Sequence, residues 1–270
     1  MTLDAAELAA LVGAALPEEG LTAADLETCC FGPDTEILGE PTAAAAVAVK
    51  RVGDTTVAWL LLLTVRPDHQ RHRRARVLLD AAVNHARERG AVELHLGNAF
   101  PRYVWPGVDF RFTAALALFE AAGFEPYGAE CNMAIASGFR ADPPSDVVVE
   151  RETGAGAVEL AGRKYPHWVD ETARAVEGGT CFAARADGEP LGFACHSVNR
   201  AGWIGPMATD PERQHRGVGR ALLGAVCADL ETRGHAEGDI AWVGPVGFYA
   251  KCGARVSRVF RTAKLTLSRR

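Results

Sequence analysis

Apolar and polar positions along the 270-residue chain fall into strand-length and helix-length blocks. Two amphipathic stretches open it, Asp4 to Ala15 and Thr22 to Cys29. Both read as helices, with Asp4 and Thr22 as side-chain caps. Apolar runs at about 43–51 and 55–65 have strand length, and a helical period returns at about 73–89. Ser137 to Asp146 interrupts the pattern with Pro143-Pro144 and little apolar content, and reads as a linker. Val147 to Glu150 is then a short strand, and Gly156 to Glu177 is helical with a break expected at Pro166. Thr180 to Ala186 alternates, turns at Asp187-Gly188, and leads to a strand from Leu191 to Val198. An extended segment from Gly202 to Ala208 precedes an amphipathic helix from Val218 to Arg233. A short strand (Asp239 to Val243), a short helix from Phe248 ending at Gly253, and a strand region from Val256 to Leu267 complete the chain. Helices interleaved with strands predict an α/β (α+β mixed-sheet) fold.

The junction between the extended segment and the helix carries the chemistry. Gly217 and Gly219 sit where free backbone N–H groups of a helix start face outward with no side chain to keep a ligand away. That is a cradle for an anion, and a diphosphate is its natural occupant. The longer run Gln214-His215-Arg216-Gly217-Val218-Gly219-Arg220-Ala221-Leu222-Leu223, with Pro211 before it, resembles the acetyl-CoA pyrophosphate loop of the GNAT family of N-acetyltransferases. Phe248-Tyr249-x-x-x-Gly253 resembles the family's Phe-Tyr-x-x-x-Gly-Phe stretch, with Ala254 replacing the second Phe. The resemblance covers about residues 147–270. It implies acetyl-CoA as co-substrate, held by the backbone and side chains from Gln214 to Arg220, and Tyr249 as the acid that protonates the departing thiolate. It also implies a strand splayed from its neighbour. Amides near Ala208 and Thr209 are then available to the pantetheine arm and the developing oxyanion.

The chain also repeats itself. Pro67, Gln70, Leu78, Leu79 and Gly90 recur 144 residues later as Pro211, Gln214, Leu222, Leu223 and Gly234. Phe119-x-x-x-Gly123-Phe124 recurs at an offset of 130 as Tyr249-x-x-x-Gly253-Ala254, so the first copy carries fourteen more residues around Pro101 to Asp109. The expectation is two tandem GNAT-like domains, each a mostly antiparallel sheet flanked by helices. They are a degenerate domain at 1–140, a linker at 141–146 and a catalytic domain at 147–270. The first copy has Arg73 for Gly217, Ala75 for Gly219 and Phe119 for Tyr249, so it lacks both the bare cradle and the acid hydroxyl.

The base that deprotonates the amine has no fixed place in such a pattern. Glu171, His196 and Asp239 are candidates, each against the competing reading of an ordinary surface or strand-end polar residue. Asp109, in the first-copy insert, is a further candidate and, with Trp105 and Trp168, a possible substrate contact. An acyl-cysteine route through Cys252 or Cys195 has no Cys–His partnership to support it.

Composition narrows the rest. A net charge of −5 argues against nucleic acid as a partner, and the cluster of Arg66, His69, Arg71, His72, Arg73, Arg74 and Arg76 reads as solvated surface or a vestigial phosphate loop. No apolar run is long enough for a membrane span, and the acidic start with Asp4 and Glu7 is unlike a secretory signal. Seven cysteines without Cys-x-x-Cys spacing suit free thiols in the cytoplasm, and no Cys/His spacing calls for a metal. The oligomeric state is not set by the sequence. The tandem arrangement is similar to bacterial acetyltransferases of which some act on glucosamine and glucosaminides. That resemblance makes an amino sugar the expected small-molecule amine. An aminoglycoside, a mycothiol-type pseudodisaccharide, a protein lysine and a non-catalytic acyl-CoA-binding regulatory module are the rivals.

Overall fold

A computed structural model describes residues 3–213 and 217–267. The chain divides into two compact units. The first is Met1–Glu130 together with Val259–Arg270, and the second is Cys131–Arg258.

In the first unit, α1 (Ala5–Ala15) and α2 (Ala23–Cys30) both begin with reciprocal caps. Asp4 accepts from the Glu7 N–H while Glu7 accepts from the Asp4 N–H, and Thr22 and Asp25 repeat the exchange. β1 (Thr35–Glu40), β2 (Ala43–Val52) and β3 (Thr55–Val65) form an antiparallel meander. α3 (Arg74–Glu88) then crosses to β4 (Glu93–Leu96), parallel to β3. β5 (Val108–Asp109), α4 (Thr113–Ala121) and the start of β6 (Glu125–Ala136) follow. α1 and α2 bury Leu8, Leu11 and Leu26 against one face of the sheet. On the other, α3 packs Leu79, Ala82 and Ala86 against Leu60 and Leu94.

The second unit repeats this plan. β7 (Val148–Arg151), α5 (Gly156–Lys164) and α6 (Val169–Glu177) lead into β8 (Cys181–Ala186), β9 (Glu189–His196) and β10 (Trp203–Thr209). α7 (Val218–Thr232) crosses to β11 (Glu237–Ile240), parallel to β10, and α8 (Val246–Lys251) leads to β12 (Arg255–Thr266). The strand order is β6-β11-β10-β9-β8-β7. α7 buries Leu222, Leu223, Val226 and Leu230 on one face, while α5 and α6 bury Leu160 and Ala175 against Phe193 and Cys195 on the other. The helix break falls at Pro166, as its missing N–H requires.

The expected division at 1–140, 141–146 and 147–270 is corrected by the last strand of each half. Residues 133–136 of β6 pair with β11, and Met133 and Ile135 join the core under α7. Residues 260–266 of β12 pair with β5 and β4, and Phe260 and Ala263 fill the first unit's cores. Each half therefore sends its terminal strand into the other unit. Alternation marks a strand, but pairing decides its partner. The linker Ser137 to Asp146 has no helix or strand, and its Arg140-Ala141 backbone lies against Gly224 of α7.

Candidate active site

The second unit opens where β10 outruns β11. Their parallel pairing covers Trp203 with Asp239 and Ile204 with Ile240, so among the described residues β10 from Gly205 to Thr209 has no paired strand on that side. The β9 register then decides which groups face the gap. Asp210 N–H donates to Leu191 O, and the pairs continue inward as Thr209 with Gly192, Ala208 with Phe193 and Met207 with Ala194. Main-chain groups alternate sides along a strand, so Ala208 turns to β9 while Met207 and Thr209 face the gap. Of the two residues expected there, Thr209 turns its main-chain groups to the open side and Ala208 does not; Met207 does. An irregularity between Ile204 and Met207 shifts the register by which the choice is made, and sequence alternation alone does not reveal it.

At the far end of β10 the chain turns through Pro211–Arg213 and enters α7 with Gly217 as its N-cap, at φ 83°. Gln214, His215 and Arg216 lie outside the described residues. Among the described residues no side chain caps this helix, so the first-turn N–H groups of Val218, Gly219 and Arg220 remain as donors there. Among the described residues, a Cβ on Gly217 would approach nothing closer than Pro144 Cγ at 3.8 Å, which leaves the room a docking diphosphate requires. Gly219 is different: a Cβ there would stand 3.3 Å from Phe248 Cζ and 3.8 Å from Met207 Cε. Val218 contributes its amide only, its side chain being core, and Arg220 is exposed. The donor set fits the diphosphate of a coenzyme A.

Tyr249 reaches the same place from α8. Its ring is buried and edge-on to Phe248, and its hydroxyl lies 4.0 Å from Met207 Sδ, a weak acceptor. Burial, with Cys252 beside it, pushes the phenol up to about 12, so it is protonated throughout the neutral range. Tyr249, Phe248, Met207 and Gly219 thus gather at one point of the gap.

The base candidates separate. His196 is fully buried, with Nε2 2.8 Å from Asp229 Oδ2 and Nδ1 3.0 Å from Ser197 Oγ. Burial lowers its pKa despite Asp229, whose own carboxyl, though desolvated, is held at about 2 by Arg151, Arg233 and His196. Both ring nitrogens are engaged in this buried position. Glu171, on the buried face of α6, accepts from Asn199 Nδ2 at 2.9 Å. Burial raises its carboxyl to about 8. Asp239 stands one residue before the last β10–β11 pair, at the closed end of the gap. It accepts from Asn132 Nδ2 and Ser257 Oγ, and burial raises its pKa against those hydrogen bonds. Burial also raises the Cys195 and Cys252 thiols, which disfavours the acyl-cysteine route.

Of the proposed substrate contacts, Trp105 and Asp109 lie in the first unit, buried and already partnered. Trp105 Nε1 donates to Glu19, and Asp109 accepts from the Arg111 backbone and guanidinium. This corrects their assignment as open substrate contacts. Trp168 is half-buried and stacks on Tyr165 at 5.2 Å, and the Tyr165 hydroxyl donates to Thr209 O at 2.8 Å. Tyr165, which the motif reading passed over, therefore connects Trp168 to the gap.

The first unit keeps the backbone and changes the chemistry. β3 and β4 part after Leu60 with Leu96, each 144 residues before Ile204 with Ile240. Arg73 caps α3 in the left-handed conformation of Gly217, at φ 61°. Phe124 N–H bonds Phe119 O as Ala254 N–H bonds Tyr249 O. The gap itself is a cavity of about 80 Å³ lined by Leu16, Leu60, Leu63, Trp105 and Phe119 among others.

The acetyltransferase (GNAT) family model matches residues 14–124 and again 151–254. No curated protein matches the chain in sequence. Solved structures share the fold at low identity. A tandem GNAT protein from the clavulanic acid biosynthesis pathway has a TM-score of 0.73 at 14% identity, covering 99% of this chain and 98% of its own. A GCN5-related N-acetyltransferase from Sphaerobacter thermophilus has a TM-score of 0.67 at 18% identity, covering 98% and 93%. A glucosamine N-acetyltransferase region of a fungal multi-domain GH3 β-N-acetylglucosaminidase has a TM-score of 0.77 at 19% identity. There the match covers 97% of this chain but only 37% of the fungal one. Among the described residues no helix is long and apolar enough to cross a membrane.

Proposed function

Since this chain belongs to the acetyltransferase (GNAT) family, we propose that it is an N-acetyltransferase that transfers acetyl from acetyl-CoA to the primary amine of a small molecule, an amino sugar of the glucosamine or glucosaminide class. The second unit is the catalytic one. The observation that carries this is the convergence of the uncapped α7 start, the unpaired edge of β10 and the Tyr249 hydroxyl in that unit.

Each demand of the reaction then has a group. The diphosphate sits on the first-turn amides of α7, where Gly217 leaves room. The pantetheine arm pairs along Met207 and Thr209, and the Met207 N–H is aimed where the thioester carbonyl acquires charge. Attack by the amine in a ternary complex forms the C–N bond and expels the thiolate. Tyr249, protonated at neutral pH, donates to that sulfur as general acid. Asp239, one residue before the end of the β10–β11 pairing, takes the proton from the amine. Trp168, stacked on Tyr165, offers its face to an apolar sugar surface. The first unit is inactive in transfer: Phe119 has no hydroxyl, and Arg73 puts a side chain where the second unit has none. The amino-sugar reading is supported by the fold shared with a region named for glucosamine.

Thiol release from acetyl-CoA, screened over amino sugars, aminoglycosides, polyamines and lysine peptides, tests the proposal. Glucosamine or a short glucosaminide is expected to accelerate release well above background. Acceleration by another class alone overturns the substrate, and none from any amine overturns the reading as a transferase.

A further inference from the structure

The repeat extends to the first helices of each unit, at an offset of 149. Leu8, Leu11 and Val12 correspond to Ala157, Leu160 and Ala161, all buried. The exits superpose in detail. Leu16 has φ −140° and ψ 61° before Pro17, Tyr165 has φ −142° and ψ 58° before Pro166, and each closes its helix with an N–H to O bond of 2.7 Å. At this shared exit the side chains differ. The first unit has Ala15-Leu16, and Leu16 lines the apolar cavity. The second has Lys164-Tyr165, and both reach the turn that leaves β10. Tyr165 Oη donates to Thr209 O at 2.8 Å, and Lys164 Nζ lies 2.9 Å from Glu212 Oε1 and 3.8 Å from Asp210 Oδ1. Asp210 in turn accepts from the Glu212 N–H.

We propose that Lys164 and Tyr165 form a clamp that positions the cofactor slot of the second unit. Two neighbouring residues at the end of α5 hold the last residue of the open β10 edge and the turn that leads into the phosphate loop. Thr209 faces the gap, where no strand pairs with it, and such an edge is free to fray. The Tyr165 hydroxyl satisfies one lone pair of the Thr209 carbonyl and leaves the second for an incoming amide N–H. Lys164 pins Glu212 and Asp210, so the edge and the turn after it are held together before the diphosphate arrives. The pre-ordered slot spares the coenzyme the entropy of arranging it. The first unit has no clamp, in keeping with its lost glycines. Neither residue touches the reacting carbon, so both are positioning residues.

This rests on the acetyl-CoA reading above, and binding of acetyl-CoA to the wild-type protein by calorimetry tests that reading separately. In Tyr165→Phe only the hydroxyl is lost and the stacking on Trp168 remains. Its acetyl-CoA Kd and KM are expected to rise about 5-fold, the scale of one hydrogen bond, with kcat held. Lys164→Ala with Tyr165→Phe is expected to raise both further, again with kcat held. A Tyr165→Phe protein that melts with the wild type and binds acetyl-CoA as tightly overturns the clamp. So does a loss confined to kcat. Failure of the wild type itself to bind acetyl-CoA overturns the site reading instead.

Discussion

Tyr249 and Glu171 show how far burial changes a side chain's chemistry. With its phenol near 12, Tyr249 holds its proton at any pH at which the protein works, so no alkaline limb of the rate profile belongs to it. Tyr249→Phe is expected to lower kcat about 100-fold while acetyl-CoA affinity by calorimetry is unchanged. Glu171 carries a stability signal. Its folded carboxyl titrates near 8 against an ordinary 4.5, so the buried neutral acid stabilises the fold below the ordinary value. That contribution is lost as pH rises through about 8. His196 acts in the opposite window. Its folded pKa lies below 6.5, so its contribution is present above that value and lost as pH falls beneath it. Glu171→Gln keeps an acceptor for Asn199 and removes the titration. Its melting temperature is expected to stay flat from about pH 6.5 to about pH 8, where the wild type declines. A matching decline in the variant would show that Glu171 is not the group responsible. All four base candidates, Asp109 included, are visible in the sequence. Their ranking comes from partners such as Asn132 and Asn199, which no spacing brings beside them.

At the scale of elements, α7 carries two close constraints at opposite ends of its function. Gly217 leaves room at the proposed diphosphate site, so Gly217→Arg, which copies the first unit, is expected to abolish acetyl-CoA binding in a calorimetric titration while the protein stays folded. Arg73 already shows that an arginine can hold this left-handed cap. Gly224 instead receives the linker backbone: a Cβ there would stand 2.9 Å from Ala141 N. Gly224→Ala is expected to cost about 1–3 kcal/mol by urea denaturation, with binding intact in the folded fraction. The helix and its loop were legible from the Gly-x-Gly run and the period of Leu222, Leu223, Val226 and Leu230. The direction of the β10 amides was not, because a register irregularity separates Ile204 from Met207 and moves the gap-facing role to Met207.

For the whole molecule, the exchanged terminal strands set what can be cut. A fragment of residues 147–270 lacks Met133 and Ile135 beneath α7, and its β12 is left without β4 and β5. A fragment of residues 1–140 lacks Phe260 and Ala263. Expressed alone, each is expected to show the broad transition and dye binding of a protein with an incomplete core, rather than one cooperative unfolding. Mixing the two, which restores both strands, is expected to recover a cooperative transition. Two independently cooperative fragments would show that the exchange is dispensable.

The sequence alone determined the duplication, the fold class and the residues by which the two copies differ at the helix cap and the short helix. These reside in residue identity at fixed local spacing: glycine or arginine at a helix cap, tyrosine or phenylalanine on a short helix. Tertiary structure alone decided which unit owns each last strand, which amides of β10 face the gap, and that Lys164 and Tyr165 reach the turn beyond it. Those outcomes depend on pairing between segments distant in the chain, and two strands with the same alternation are equally good partners until the cores beneath them are filled.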